Sequence, residues 1–135
     1  MQKNGAISFY DFNYRHCPLL NVQKISKDFV KEQSDYIEAT KYFLNRGYYI
    51  YLLINPKYIR NYNCEVDWCH DLFVFGYDDE SQLFHIADNF TGKYEQRICS
   101  FQKLENAISS LPFDKEGYWG FSGCVELLSL NKDNI

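Results

Sequence analysis

The chemistry open to this chain rests on three histidines and five cysteines, and one of the histidines has a carboxylate within strand reach. His70 opens the apolar run His70-Asp71-Leu72-Phe73-Val74-Phe75-Gly76-Tyr77, and Asp88 closes a second run that starts at Gln82. The polar segment Asp78-Asp79-Glu80-Ser81 separates them, so the three pieces predict a β-hairpin. In one register Val74 faces Phe84, Leu72 faces Ile86 and His70 faces Asp88, two apolar pairs followed by an acid–base pair on the same side. Directly opposed Cβ atoms lie ~4.5–5.5 Å apart, close enough for an imidazole–carboxylate hydrogen bond. A carboxylate on a histidine fixes its tautomer and stabilises its cation, as the third member of a nucleophile–base–acid triad does. A two-residue turn at Asp79-Glu80 shifts the register by one and brings Asn89 to His70, which orients an imidazole with less charge stabilisation. A His and an Asp at one end of a hairpin also describe an ordinary solvated rim.

Cys17, Cys64, Cys69, Cys99 and Cys124 are an odd set without a secretory signal, so a disulfide framework is not expected. Each thiol also reads as a small buried hydrophobe. Cys64, Cys69 and His70 hint at a metal, but zinc sites show a second closely spaced pair and Cys99 and Cys124 are far apart. No metal and no cofactor is expected. His85 falls on the face away from Phe84 and Asp88, which suits a surface or partly buried histidine. His16 beside Cys17 reads as solvated.

Composition narrows the class. Aromatic residues make up 19% of 135 residues, which excludes a disordered chain. A net charge of −4, with no long Lys/Arg run, argues against nucleic acid as a partner. No apolar stretch approaches the ~20 residues a membrane span needs, and no signal-peptide core follows Met1. A soluble cytoplasmic protein is expected, with all of 1–135 in one domain.

The elements that must position His70 and Asp88 come next. Residues 1–23 read as irregular, with a short strand at Ile7-Ser8-Phe9-Tyr10, followed by a helix from Ile25 to Gln33. Ser34 or Asp35 caps a stronger helix in which Tyr36, Ile37, Thr40, Phe43 and Leu44 share a face, and Gly47 stops it. Tyr48 to Ile54 predicts a central strand buried on both faces. The stretch Asn55–Cys69 has no period, and loops this long in compact domains are often functional. Its Tyr58, Tyr62 and Trp68 suit either the wall of a peptide or acyl-chain cleft or a loop pinned by ring burial. A third antiparallel strand is expected over Lys93–Cys99. Ser100 then caps a helix carrying Phe101, Leu104, Ala107, Ile108 and Leu111, which Pro112 ends. Gly117 to Leu130 closes the sheet with one or two strands. Helices first and a strand-rich half after them predict an α+β fold.

The run His70 to Asp79 followed by Phe84-His85-Ile86-Ala87-Asp88 resembles the His and Asp strands of papain-like cysteine hydrolases. The similarity is greatest to the N-terminal family of butirosin-biosynthesis protein H and to bacteriocin-processing peptidase domains. Gly47-Tyr48-Tyr49-Ile50, and Asp11-Phe12 through Cys17-Pro18-Leu19-Leu20, also resemble members of bacterial natural-product clusters. The resemblance covers 11–110 loosely and 47–90 best. It implies a papain-like domain with N-terminal helices packed on an antiparallel sheet, a Cys nucleophile at a helix start, a His base and an orienting acid. Carried over, these are Cys17, His70 and Asp88. The sequence departs from the pattern in three ways. The oxyanion-hole glutamine is missing, since Gln2 is the only glutamine before Cys17; Asn21 and Val22 interrupt the helical period after Cys17; and the Cys17–His70 interval is short. Taken with these departures, the resemblance implies either a compact variant or a domain lacking part of the nucleophile lobe.

The function so implied is acyl transfer, or peptide or thioester cleavage, in a bacterial natural-product pathway, on a peptide or acyl-thioester substrate with an acyl carrier protein as candidate donor. The alternative is a catalytically inactive papain-like module that binds a peptide, an acyl chain or a carrier protein. An exposed aromatic-rich face would suit a homodimer or contact with a missing lobe.

Overall fold

The computed structural model describes residues 17–90, 92–112 and 124–134. In chain order these form β1 (Leu20–Ser26), α1 (Lys27–Gln33), α2 (Tyr36–Asn45), β2 (Tyr49–Ile54), β3 (His70–Asp78), β4 (Leu83–Asn89), β5 (Tyr94–Ser100), α3 (Phe101–Ser109) and β6 (Cys124–Leu130). The six strands make one antiparallel sheet in the order β1-β6-β2-β3-β4-β5. The fold is α+β. Among the described residues no helix is long and apolar enough to cross a membrane.

Short polar side chains start each helix by accepting from otherwise unpaired first-turn amides. Ser26 Oγ accepts from Asp28 and Phe29, Asp35 from Glu38 at 2.7 Å, and Ser100 from Lys103 at 3.1 Å. Gly47, at φ +87°, ends α2 in the left-handed conformation that costs glycine nothing. The two-residue period of β2 then sends Ile50, Leu52 and Ile54 to the core. They meet Leu72 and Val74 of β3, Phe84 and Ile86 of β4, and Leu104, Ala107 and Ile108 of α3. Tyr49 and Tyr51 alternate to the other face, where Tyr49 and Phe75 flank Phe73 at centroid distances of 5.7 and 6.3 Å.

Two expectations need correction. Residues 20–26 are a strand, and α1 begins at Lys27 because Ser26 is its cap rather than part of it. The strand hides in the sequence because Val22 stands across from Leu128 and Ile25 across from Val125, on opposite faces, so its apolar residues show no clean alternation. The third hairpin strand starts at Tyr94, after Gly92 at φ +90°. From the tail, Cys124–Leu130 forms β6, which inserts between β1 and β2. The expected strand at Ile7–Tyr10, His16, and the tail from Gly117 to Phe121 lie outside the described residues.

Candidate functional site

The β3–β4 pairing differs from both expected registers. Near the turn Asp78 pairs with Leu83, Tyr77 with Phe84 and Gly76 with His85; farther along, Val74 pairs with Ile86 and Phe73 with Ala87. Phe75 is the extra residue of a β-bulge between the two blocks. The bulge decides which side chains share a face. Without it, Asp88 would fall opposite Phe73 and share a face with Asp71, not with His70. With it, the Phe73–Ala87 register returns His70 and Asp88 to one side as diagonal neighbours. Gly76 permits the tight pairing here, since a Cβ at that position would stand 3.2 Å from His85 Cδ2.

His70 Nε2 lies 2.6 Å from Asp88 Oδ2. A carboxylate accepts, so Nε2 carries the hydrogen and Nδ1 keeps the lone pair of the neutral ring. Asp88 accepts twice more: Tyr62 donates its hydroxyl to Oδ2, and the Asn89 amide donates to Oδ1 at 2.7 Å. Burial, reinforced by the negative charge of Asp88, pushes the Tyr62 hydroxyl far above its ordinary range, so it remains a donor at every physiological pH. The Tyr62 ring also meets the imidazole edge-on at 5.0 Å and Phe90 at 4.8 Å. A second tyrosine–aspartate pair sits beside this group. Tyr51 donates to Asp71, whose Oδ1 is 3.8 Å from His70 Nε2. The His70 side chain keeps 35% of its surface accessible, and the Asp88 side chain only 16%. The imidazole can therefore meet a ligand while the carboxylate it pairs with stays shielded.

The loop that delivers His70 holds two short 3-10 turns, Pro56–Tyr58 and Arg60–Tyr62, anchored on a buried amide. Asn55 is fully buried, and its side chain uses both ends. Nδ2 donates to Asp67 Oδ1 at 3.0 Å and to the Ser110 carbonyl at 2.9 Å, while Oδ1 accepts from the Lys57 and Trp68 amides at 3.2 and 3.3 Å. This closes the loop on itself and ties it to the end of α3. Of the loop's aromatic residues, Tyr58 and Tyr62 pack against the core, while Trp68 is 49% exposed two residues ahead of His70.

Cys17 is not brought to His70. It lies on the turn before β1, where the Leu20 amide donates to its carbonyl at 3.1 Å. β1 runs antiparallel to β3 and three places across the sheet, so it starts at the end where β3 finishes. Strand spacings of ~4.8 Å put about 14 Å between the two sideways, with on the order of 20 Å more along the strands. Where the resemblance implies a helix after Cys17, the chain forms the strand β1. Cys69 adjoins His70 but is buried against Leu53, and burial raises its thiol pKa. Cys99 is buried on β5, its thiol pushed up by burial to about 12, which leaves it inert near neutral pH. Cys64 is half-buried and donates to the Val66 carbonyl. Among the described residues no three His, Cys, Asp or Glu side chains gather as a metal would require. His85 sits on the far face, half-buried and tilted against Phe75 at 5.8 Å.

Sequence reasoning missed Asn55 and the donor role of Tyr62. The Asn55-Pro56 step signals a turn, but nothing local shows that the amide is buried. Comparison with protein-family models, with curated proteins and with solved structures found no match.

Proposed function

We propose that the protein is a papain-like domain, working without a cysteine nucleophile, for acyl transfer or thioester cleavage, in which His70 is the general base and Asp88 orients it. The nucleophile is the acceptor itself, an amine or water, rather than Cys17. The observation that carries this reading is the 2.6 Å contact between His70 Nε2 and Asp88 Oδ2, which commits one ring nitrogen to the acid and leaves Nδ1 for substrate. In the reaction, Nδ1 takes a proton from the attacking N–H or O–H as the new bond to the thioester carbonyl forms. Collapse of the tetrahedral adduct breaks the C–S bond, and the imidazolium returns its proton to the departing thiolate. Asp88 stabilises the cation between the two steps. The resemblance of the hairpin to the butirosin-biosynthesis protein H family, and of Gly47–Ile50 to members of bacterial natural-product clusters, supports a cytoplasmic biosynthetic role with an acyl-thioester donor, an acyl carrier protein among the candidates.

The test is release of free thiol from an acyl-N-acetylcysteamine thioester in the presence of an amine. Wild type and Cys17→Ser are expected to turn over alike, while His70→Asn falls to background and Asp88→Asn loses on the order of 10²-fold or more. A Cys17→Ser variant as dead as His70→Asn would overturn the acceptor-as-nucleophile reading. The position of Cys17 favours a second reading, a papain-like module that binds an acyl chain or peptide without reacting. Wild type that binds the thioester without releasing thiol would select it.

A further inference from the structure

We propose that the cleft on the outer side of the Asn55–Cys69 loop is an oxyanion site for a small molecule bearing a phosphomonoester. The cleft is open to solvent, measures about 480 Å³, and is lined by Lys57, Arg60, Asn63, Cys64, Glu65 and Lys103. Three cations thus face one carboxylate, on a chain whose net charge is −4. Lys57 is partly satisfied by Asp67 at 3.7 Å. Among the described residues, Arg60 and Lys103 have no side-chain hydrogen bond or ion pair.

Three cations against one carboxylate in the lining leave an excess of positive charge, and a bound anion offsets their mutual repulsion. Their chemistry suits a phosphate in particular. A guanidinium offers parallel donors to two phosphate oxygens, and an ammonium adds a compact charge to a third. Both side chains stand on held backbone. Arg60 belongs to the 3-10 turn whose Tyr62 is bonded to Asp88. Lys103 sits in the first turn of α3, behind the Ser100 cap, where the helix dipole adds positive potential. The cleft is larger than a phosphate, and the Tyr58 ring in its lining gives an organic body an apolar surface. This site goes beyond the acyl-transfer reading and stands without it.

The experiment is a titration of the ¹⁵N-labelled protein with phenyl phosphate and with inorganic phosphate, at ionic strength held constant with sodium chloride. Saturable amide shifts confined to residues 57–65 and 103 are expected, with phenyl phosphate binding several-fold tighter. The double variant Arg60→Gln/Lys103→Gln should weaken both by about tenfold or more, while Lys24→Gln on the distant edge strand should change neither. Both substituted side chains are exposed, and the dispersion of the spectrum reports that each variant is folded. Shifts that track ionic strength without saturating, or a double variant that binds phenyl phosphate like wild type, overturn the site. Equal affinity for the two phosphates overturns the organic body.

Discussion

Tyr62 donates its hydroxyl to the same oxygen, Asp88 Oδ2, that holds His70 Nε2 at 2.6 Å. One atom therefore ties the loop to the hairpin and joins the two hairpin strands through Asp88 and His70. Tyr62→Phe keeps the ring and removes the donor. It is expected to cost about 1.5–3 kcal/mol of unfolding free energy, the range for a hydrogen bond to a charged group. Urea unfolding measures the loss, and hydrogen exchange should locate faster opening in residues 56–69. A Tyr62→Phe protein as stable and as protected as wild type would show that the bond holds nothing in place.

Asn55 is the loop's other anchor. Asn55→Leu matches its bulk but leaves the Lys57 and Trp68 amides and the Ser110 carbonyl without their side-chain partner. At about 1 kcal/mol or more for each group stranded, a loss of about 3 kcal/mol is expected. In a thermal melt this should appear as a lower Tm with the sheet's far-ultraviolet signal retained below the transition. An unchanged Tm would contradict the anchoring role.

Gly76 is there because His85 stands where a Cβ would need room. Gly76→Ala is expected to destabilise by about 1–2 kcal/mol through overpacking. The paired variant Gly76→Ala/His85→Ala should recover most of that relative to His85→Ala alone. A cycle with no coupling would place the cost elsewhere in the backbone.

Alkaline pH should weaken the fold. The folded pKa of Cys99 is raised from 9.0 to about 12 by burial, so its contribution is complete below pH 9 and is lost as pH rises towards 12. Between pH 8 and 10.5 Cys99 alone should remove about 2 kcal/mol of stability. Tyr62, also raised by burial, adds loss above pH 10. Urea midpoints for wild type and Cys99→Ala test this, and the variant's pH slope should be shallower. Parallel slopes would mean that Cys99 is not shielded.

Much of this architecture is legible locally. Ser100, Asp35 and Gly47 mark helix ends because capping is satisfied within a few residues. Tyr48–Ile54 reads as a central strand because its apolar side chains cover both faces, and His70 and Asp88 read as partners because strand parity allows it. The bulge at Phe75 was not legible, since whether a strand takes an extra residue depends on what packs beneath it: here Val74 and Tyr77, three residues apart on β3, both turn to the core on either side of Phe75.

By itself, then, the sequence determined the helix caps, the central strand and the hairpin, because these follow from periodicity and short-range hydrogen bonding, while the bulge that puts His70 and Asp88 on one face came from packing. Tertiary structure alone decided the rest. It carried Cys17 to the far end of the sheet, because β1 joins through β6 rather than beside β3. It also brought Tyr62 onto Asp88 and closed the loop around Asn55, since contacts between residues distant along the chain form only when the whole core packs.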